Sequence, residues 1–233
     1  MIAPDAAARA AFAKGVLALA GERNWREVTI FDIANAAKVE VESLASLSPS
    51  DAADIVDDHF DRAAAKGVTA IDTTQGLRDR LFDLAMRRFE AMEPHRFAVV
   101  ALDRVQDGLG QAVAFARAGR TARWLLTLAG ETVDGVDGAA KVQGLAVVLT
   151  RAHAAWKNDT DGDFTRTMAA LDKGLRDAET WAGRLGLKTR AVRGVDKFGD
   201  HYRVSGQKLW ISTAQVADRI LLLARTTPQD QCR

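Results

Sequence analysis

Apolar residues recur at three- and four-residue spacing from Ala7 to about Gly186, and from Gly199 onward they alternate instead. A helix repeats every 3.6 residues and a strand every two, so the two blocks call for a helical bundle followed by a short β-rich tail. A composition of 48% hydrophobic and 27% charged residues suits a globular chain rather than a disordered or fibrous one. No apolar run approaches the roughly 18 residues that a membrane-spanning helix requires. Asp5, Arg9 and Lys14 interrupt the Ala-rich start where a signal peptide needs an unbroken apolar stretch. Cys232 is the only cysteine, which excludes an internal disulfide and a cysteine-built zinc site. The expected location is the cytoplasm.

Local signals divide the helical block further. Ala7 to Ala20 are strong helix formers, with Gly21 placed as a C-cap. Thr29 and Asp32 have capping-box spacing and open a short helix through Ala37, followed by a short apolar segment from Val39 to Leu47. Ser48 and Pro49 suit the N-cap and first position of a helix that runs to Lys66, where Gly67 ends it. Thr73 or Thr74 is expected to cap a helix with Leu77, Leu81, Phe82, Ala85, Met86, Phe89 and Met92 on one face. Helices are also predicted over Phe97–Val105, Ala112–Leu128 and Val142–Trp156, the last apolar nearly all round and therefore central. Asp163 is placed as the cap of a final helix carrying Phe164, Met168, Leu171, Leu175, Ala178 and Trp181. In the tail, Tyr202 to Ile211 is predicted as two strands joined by a Ser205-Gly206 turn, and Arg219 to Arg225 as a buried strand. The expected domains are 1–67, 68–186 and 187–233.

Charge follows the same blocks. Residues 1–70 carry 7 positive and 11 negative groups, 71–185 carry 16 of each, and 186–233 carry 9 and 4. Between Lys38 and Asp58 a single Lys faces Glu40, Glu42, Asp51, Asp54, Asp57 and Asp58. DNA affinity rests on cations that neutralise phosphates, so this balance opposes binding to a duplex.

Thr29, Ile33, Ala34, Ala37 and Val39 resemble the helix-turn-helix of TetR-family regulators, in which a Thr cap, an Ile-Ala pair and a tight turn precede a short recognition helix. Lys38 stands where that family favours Gly, and Glu40 and Glu42 replace small polar residues. The match implies a mainly α, TetR-like bundle with a degenerate N-terminal helix-turn-helix. On a DNA-binding alternative, Thr29, Lys38, Ser43 and Ser46 are the contact residues.

Trp156, Asp159, Asp163, Thr167, Leu171 and Asp172 resemble the C-terminal signature of the ninth coenzyme Q protein family, whose members have a TetR-like fold, bind lipid and assist ubiquinone biosynthesis. The stretch Leu81 to Phe89 resembles related bacterial TetR-like proteins, and the likeness spans about 8–185. From the residues themselves, Met86, Phe89, Phe115, Trp124, Leu125, Leu128, Leu145, Leu149 and Trp156 are candidates either to line an apolar pocket between helices or to fill the core. Asp159, Asp163 and Asp172 suit caps and a helix surface better than a metal, and no metal site is expected. His59, His95 and His153 have no nucleophile or carboxylate at suggestive spacing.

Over 188–229, Gly206-Gln-Lys208-Leu-Trp210-Ile-Ser212 with Ala217-Asp218 resembles the middle β-domain of acyl-CoA dehydrogenases. The resemblance implies that Trp210 and Ser212 face a flavin. The remaining domains and the catalytic base of that family are missing, so no enzyme activity is expected, and FAD enters only on that third alternative. The first expectation is a non-catalytic binder of a lipid or isoprenoid that assists ubiquinone biosynthesis. The second is a ligand-responsive, DNA-binding TetR-type regulator; the third is an incomplete flavin-dependent dehydrogenase. The expected partners are an apolar small molecule or lipid, a second copy of the chain and ubiquinone-biosynthesis proteins, with peripheral membrane contact left open and DNA disfavoured.

Overall fold

The computed structural model describes residues 6–72, 74–104, 108–159, 162–184, 190–196 and 199–205. Among them are eight α-helices: α1 (Ala6–Leu19), α2 (Ile30–Ala37), α3 (Ala52–Ala65), α4 (Leu77–Met92), α5 (Arg96–Arg104), α6 (Gly108–Leu128), α7 (Gly135–Lys157) and α8 (Thr165–Arg184). Two antiparallel strands follow, β1 (Arg190–Asp196) and β2 (Gly199–Ser205). The chain divides into two compact units, Met1–Leu175 and Arg176–Arg233. No described helix is long and apolar enough to cross a membrane.

In the first unit α1 packs on α2 and α3, and α3 in turn packs on α4 and α6. Phe12, Val16, Ile33, Leu44, Ile55 and Phe60 are buried there. The α1–α2 crossing is close because Gly15 has no side chain: a Cβ at that position would lie 2.4 Å from the Ile33 carbonyl oxygen. Among the later helices, α6 pairs with α7, and Phe89, Leu125, Leu145, Trp156 and Leu171 are buried.

Helix starts follow local hydrogen bonding. Thr29 caps α2 in a full capping box, as its spacing with Asp32 predicts. Thr74 does not cap α4. Its N–H and hydroxyl both donate to Asp72 Oδ1 (2.9 and 2.5 Å), and Gly76 takes the N-cap position. The last long helix likewise starts after the expected point, since Phe164 sits outside it in the left-handed region (φ 57°). Asp163 receives the Thr165 N–H (3.0 Å), and the buried Asp159 receives the Thr167 N–H and hydroxyl (2.9 and 3.0 Å). Trp156, Asp159, Asp163 and Thr167 thus build the α7–α8 corner.

In the second unit, Arg190 pairs with Ser205 and Arg193 with Tyr202. The pairing lies upstream of the turn expected at Ser205-Gly206. Trp210, Ser212 and the predicted strand over Arg219–Arg225 lie outside the described residues. The described strands amount to one hairpin, which does not establish the wider β-rich appendage.

Candidate functional site

α2, the tight turn at Lys38 and the short element after it occupy the helix-turn-helix position. The Thr29 N–H donates to Asp32 Oδ2 (2.9 Å), the Thr29 hydroxyl lies 2.6 Å from the same oxygen, and the Asp32 N–H donates to Thr29 Oγ1 (3.2 Å). These Thr29 bonds, with Arg23 at 2.8 Å, hold the Asp32 carboxyl down at about 2. Lys38 closes α2 in the left-handed conformation (φ 59°), its N–H on the Ala34 and Asn35 carbonyls. This is the position where glycine costs least, and an exposed lysine occupies it. Past Lys38 the chain makes one 3-10 turn, Val41–Leu44, anchored by the buried Leu44. Ser46, also left-handed (φ 71°), prevents the turn from extending into a longer helix. Thr29, Lys38, Ser43 and Ser46 are all exposed. The Thr29 hydroxyl is engaged by the cap and the Ser43 hydroxyl donates to the Glu40 carbonyl (2.7 Å).

The acidic residues of this region fall into two groups. Asp51 accepts from the Ser48 N–H and hydroxyl, both at 2.8 Å. Asp54 pairs with Arg120 (2.8 Å), and Asp58 pairs with Arg9 (3.2 Å) and Arg62 (3.1 Å). Asp57 is forked between two buried arginines, Arg88 of α4 (2.6 Å) and Arg117 of α6 (2.9 Å). Four of the six carboxylates counted between Lys38 and Asp58 are therefore committed to partners within the first unit. Glu40 and Glu42 remain exposed on the turn itself.

Asp61 extends the network. Its carboxylate meets Arg88 Nε (2.8 Å) and accepts from the Thr121 hydroxyl (2.9 and 3.0 Å), while its carbonyl accepts from Trp124 Nε1 (3.1 Å). Burial pushes the Asp61 carboxyl above its usual range, against the pull of Arg88 and Thr121. An open groove of about 730 Å³ runs beside these residues, with Arg9, Asp54, Arg62, Arg120 and Trp124 in its wall. This network was not anticipated from the sequence. A signal was available, because Arg88 shares helical spacing with Leu81, Ala85 and Met92, which marks a buried arginine in need of acids.

The candidate apolar-pocket residues do not share one environment. Met86, Phe89, Leu125, Leu145, Leu149 and Trp156 are buried, and Leu128 is half-buried. Phe115 and Trp124 are more than a third exposed; Phe115 borders a second groove of about 390 Å³ with Val142, and Trp124 lines the larger polar groove. Trp156 is fixed by polar neighbours. Its Nε1 donates to Glu93 Oε2 (2.8 Å), the Arg96 guanidinium lies 4.4 Å from its ring centre and also donates to its carbonyl, and His153 packs against it. His153 and Lys157 converge on Asp103 (2.8 and 3.0 Å). Burial raises the Asp103 carboxyl, but these two contacts outweigh it and hold the group below its usual range. Among the described residues, no group of His, Cys, Asp and Glu could hold a metal ion.

No family model and no curated protein matches the chain. Solved structures do. A TetR transcriptional regulator from Nitrosomonas europaea ATCC 19718 superposes with a TM-score of 0.55 at 18% identity, over 74% of this chain and 98% of that one. A TetR transcriptional regulator from Rhodococcus sp. RHA1 gives 0.54 at 14% identity, over 74% and 96%. The expected ubiquinone-biosynthesis accessory protein is corrected by these matches, which are regulators, and closeness to acyl-CoA dehydrogenases is likewise unsupported. The chain has the TetR-like fold.

Proposed function

We propose that the chain is a TetR-type transcriptional regulator that meets duplex DNA with the segment from Thr29 to Ser46. One observation carries this: of the six carboxylates that made the segment look repulsive, Asp54, Asp57 and Asp58 are ion-paired with arginines of the first unit. Repulsion is set by charge that reaches solvent, not by charge counted along a chain. Outside, Lys38 and Arg26 are exposed beside Ser43 and Ser46, which suits phosphate contacts near a short reading element. The second copy expected from the family would present two such segments to half-sites about one helical turn, 34 Å, apart. A small-molecule effector completes the proposal, which assigns no catalytic step and no cofactor. The β-rich character of the tail over 187–233 is kept as an expectation, tested by circular dichroism of the full chain against a 1–186 truncation.

Fluorescence anisotropy of labelled duplexes over a salt series tests the proposal. The expected result is binding that weakens steeply with salt, with Lys38→Glu lowering affinity and reducing the slope of log K against log salt by about 1 or more. Salt-insensitive or absent binding at low ionic strength, with the fold intact, rejects it.

A further inference from the structure

The polar residues of α3 fall on one face. Asp54, Asp57, Asp58 and Asp61 follow helical spacing, while Ile55, Val56 and Phe60 occupy the opposite side. The acidic face meets a ridge of α6 with matching periodicity, Arg117, Arg120, Thr121 and Trp124. Arg88 of α4 inserts between the two carboxylates Asp57 and Asp61. The helix that follows the helix-turn-helix is thus joined to α6 by charges and hydrogen bonds, along an open groove.

We propose that this seam is an electrostatic latch: it holds α3 and the helix-turn-helix in one position against α6, and salt releases them. The inference rests on the regulator proposal for its meaning, since a released α3 would reposition the DNA-contacting segment. The latch itself is a claim about motion and can be tested without DNA. An apolar seam would hold equally well at any ionic strength; a seam of partly exposed ion pairs is weakened by screening. Asp57 is the central residue because its two oxygens serve α4 and α6 at once, so α3 cannot shift against either helix without breaking both pairs.

Protonation acts mainly at Asp61. Facing it are Arg88 from α4 and Thr121 from α6, with Asp57 on its own helix and Arg117 close by on Asp57; Asp58, held by Arg9 of α1 and by Arg62, lies on the same face. Burial raises the Asp61 carboxyl while the seam is closed, so a proton bound there favours the closed seam over one that exposes Asp61 to solvent, and the latch yields to salt rather than to this proton. His59, whose burial holds it below its usual value, lies away from the acidic face next to Phe60 and is influenced by His95.

Spin labels at Glu42→Cys and Gln143→Cys, in a Cys232→Ser background diluted with unlabelled chain, report the separation of the helix-turn-helix from α7. Double electron–electron resonance should give a narrow distance distribution at about 0.1 M salt that broadens at about 1 M, as the screening length falls from about 10 to about 3 Å. Asp57→Asn keeps the side-chain shape and should be broad already at low salt, with helical content checked by circular dichroism. A distribution indifferent to salt and to the Asp57 variant overturns the latch even if DNA binds. A responsive distribution with no DNA binding leaves the latch standing and removes the regulator proposal.

Discussion

The α1–α2 crossing and the α3–α6 seam fasten the same N-terminal segment by opposite means. At the crossing, Phe12, Val16 and Ile33 are fully buried and Gly15 lets two backbones nearly touch. Along the seam, Asp54, Asp57 and Asp61 meet Arg117, Arg120 and Thr121 beside water. Apolar packing is short-ranged, specific in shape and little affected by salt. Ion pairs are directional and yield to screening and to protons. The difference teaches that the helix-turn-helix is packed within itself by apolar contacts, whereas α3 meets α6 through ion pairs, the kind of contact that the proposed latch makes responsive to salt.

The comparison breaks most readily at the crossing. Phe12→Ala should cost about 4 kcal/mol in urea unfolding, the range for emptying a fully buried aromatic site. Arg88→Met should cost about 3 kcal/mol at neutral pH, because Asp57 and Asp61 each lose a buried partner. If it were neutral, the network would contribute nothing to the attachment. Gly15→Ala should cost about 2 kcal/mol by thermal unfolding despite the better helix propensity of Ala, since its Cβ would collide with the Ile33 carbonyl. Arg120→Ala should change stability by no more than about 0.5 kcal/mol, because Arg120 and Asp54 are both more than half exposed. A larger cost there would make the exposed end of the seam as important as its centre.

The smallest effect concerns the α2 cap. Asp32 is depressed from 3.8 to about 2, so its stabilising effect is full above 3.8 and is lost as pH falls through about 2. Carboxyl chemical shifts should show that inflection, and Thr29→Val should move it back toward 3.8.

Much of this was legible along the chain. The Thr29–Asp32 box, the Gly67 and Pro94 breaks and the apolar stripes of α4 and α7 are local patterns, and local patterns survive folding. The failures came where a residue's partner is distant in sequence. Thr74 looks like a cap but is claimed by Asp72, and the acids Asp54, Asp57 and Asp58 look like a repulsive surface until Arg9, Arg88, Arg117 and Arg120 arrive from three other helices. Met86 and Trp124 read alike as large apolar side chains, yet one is buried and the other lines a polar groove.

Sequence alone therefore determined the helices and the α2 cap, because periodicity and capping act within a few residues, while the TetR-like arrangement came from the resemblance of the Thr29 to Val39 segment. Only the tertiary structure decided which charges reach solvent, because Asp57 and Arg117 are 60 residues apart and their pairing exists only once α3 lies against α6. A net charge summed along the chain treats paired and unpaired carboxylates alike, whereas a phosphate approaching the surface meets only the field left after pairing.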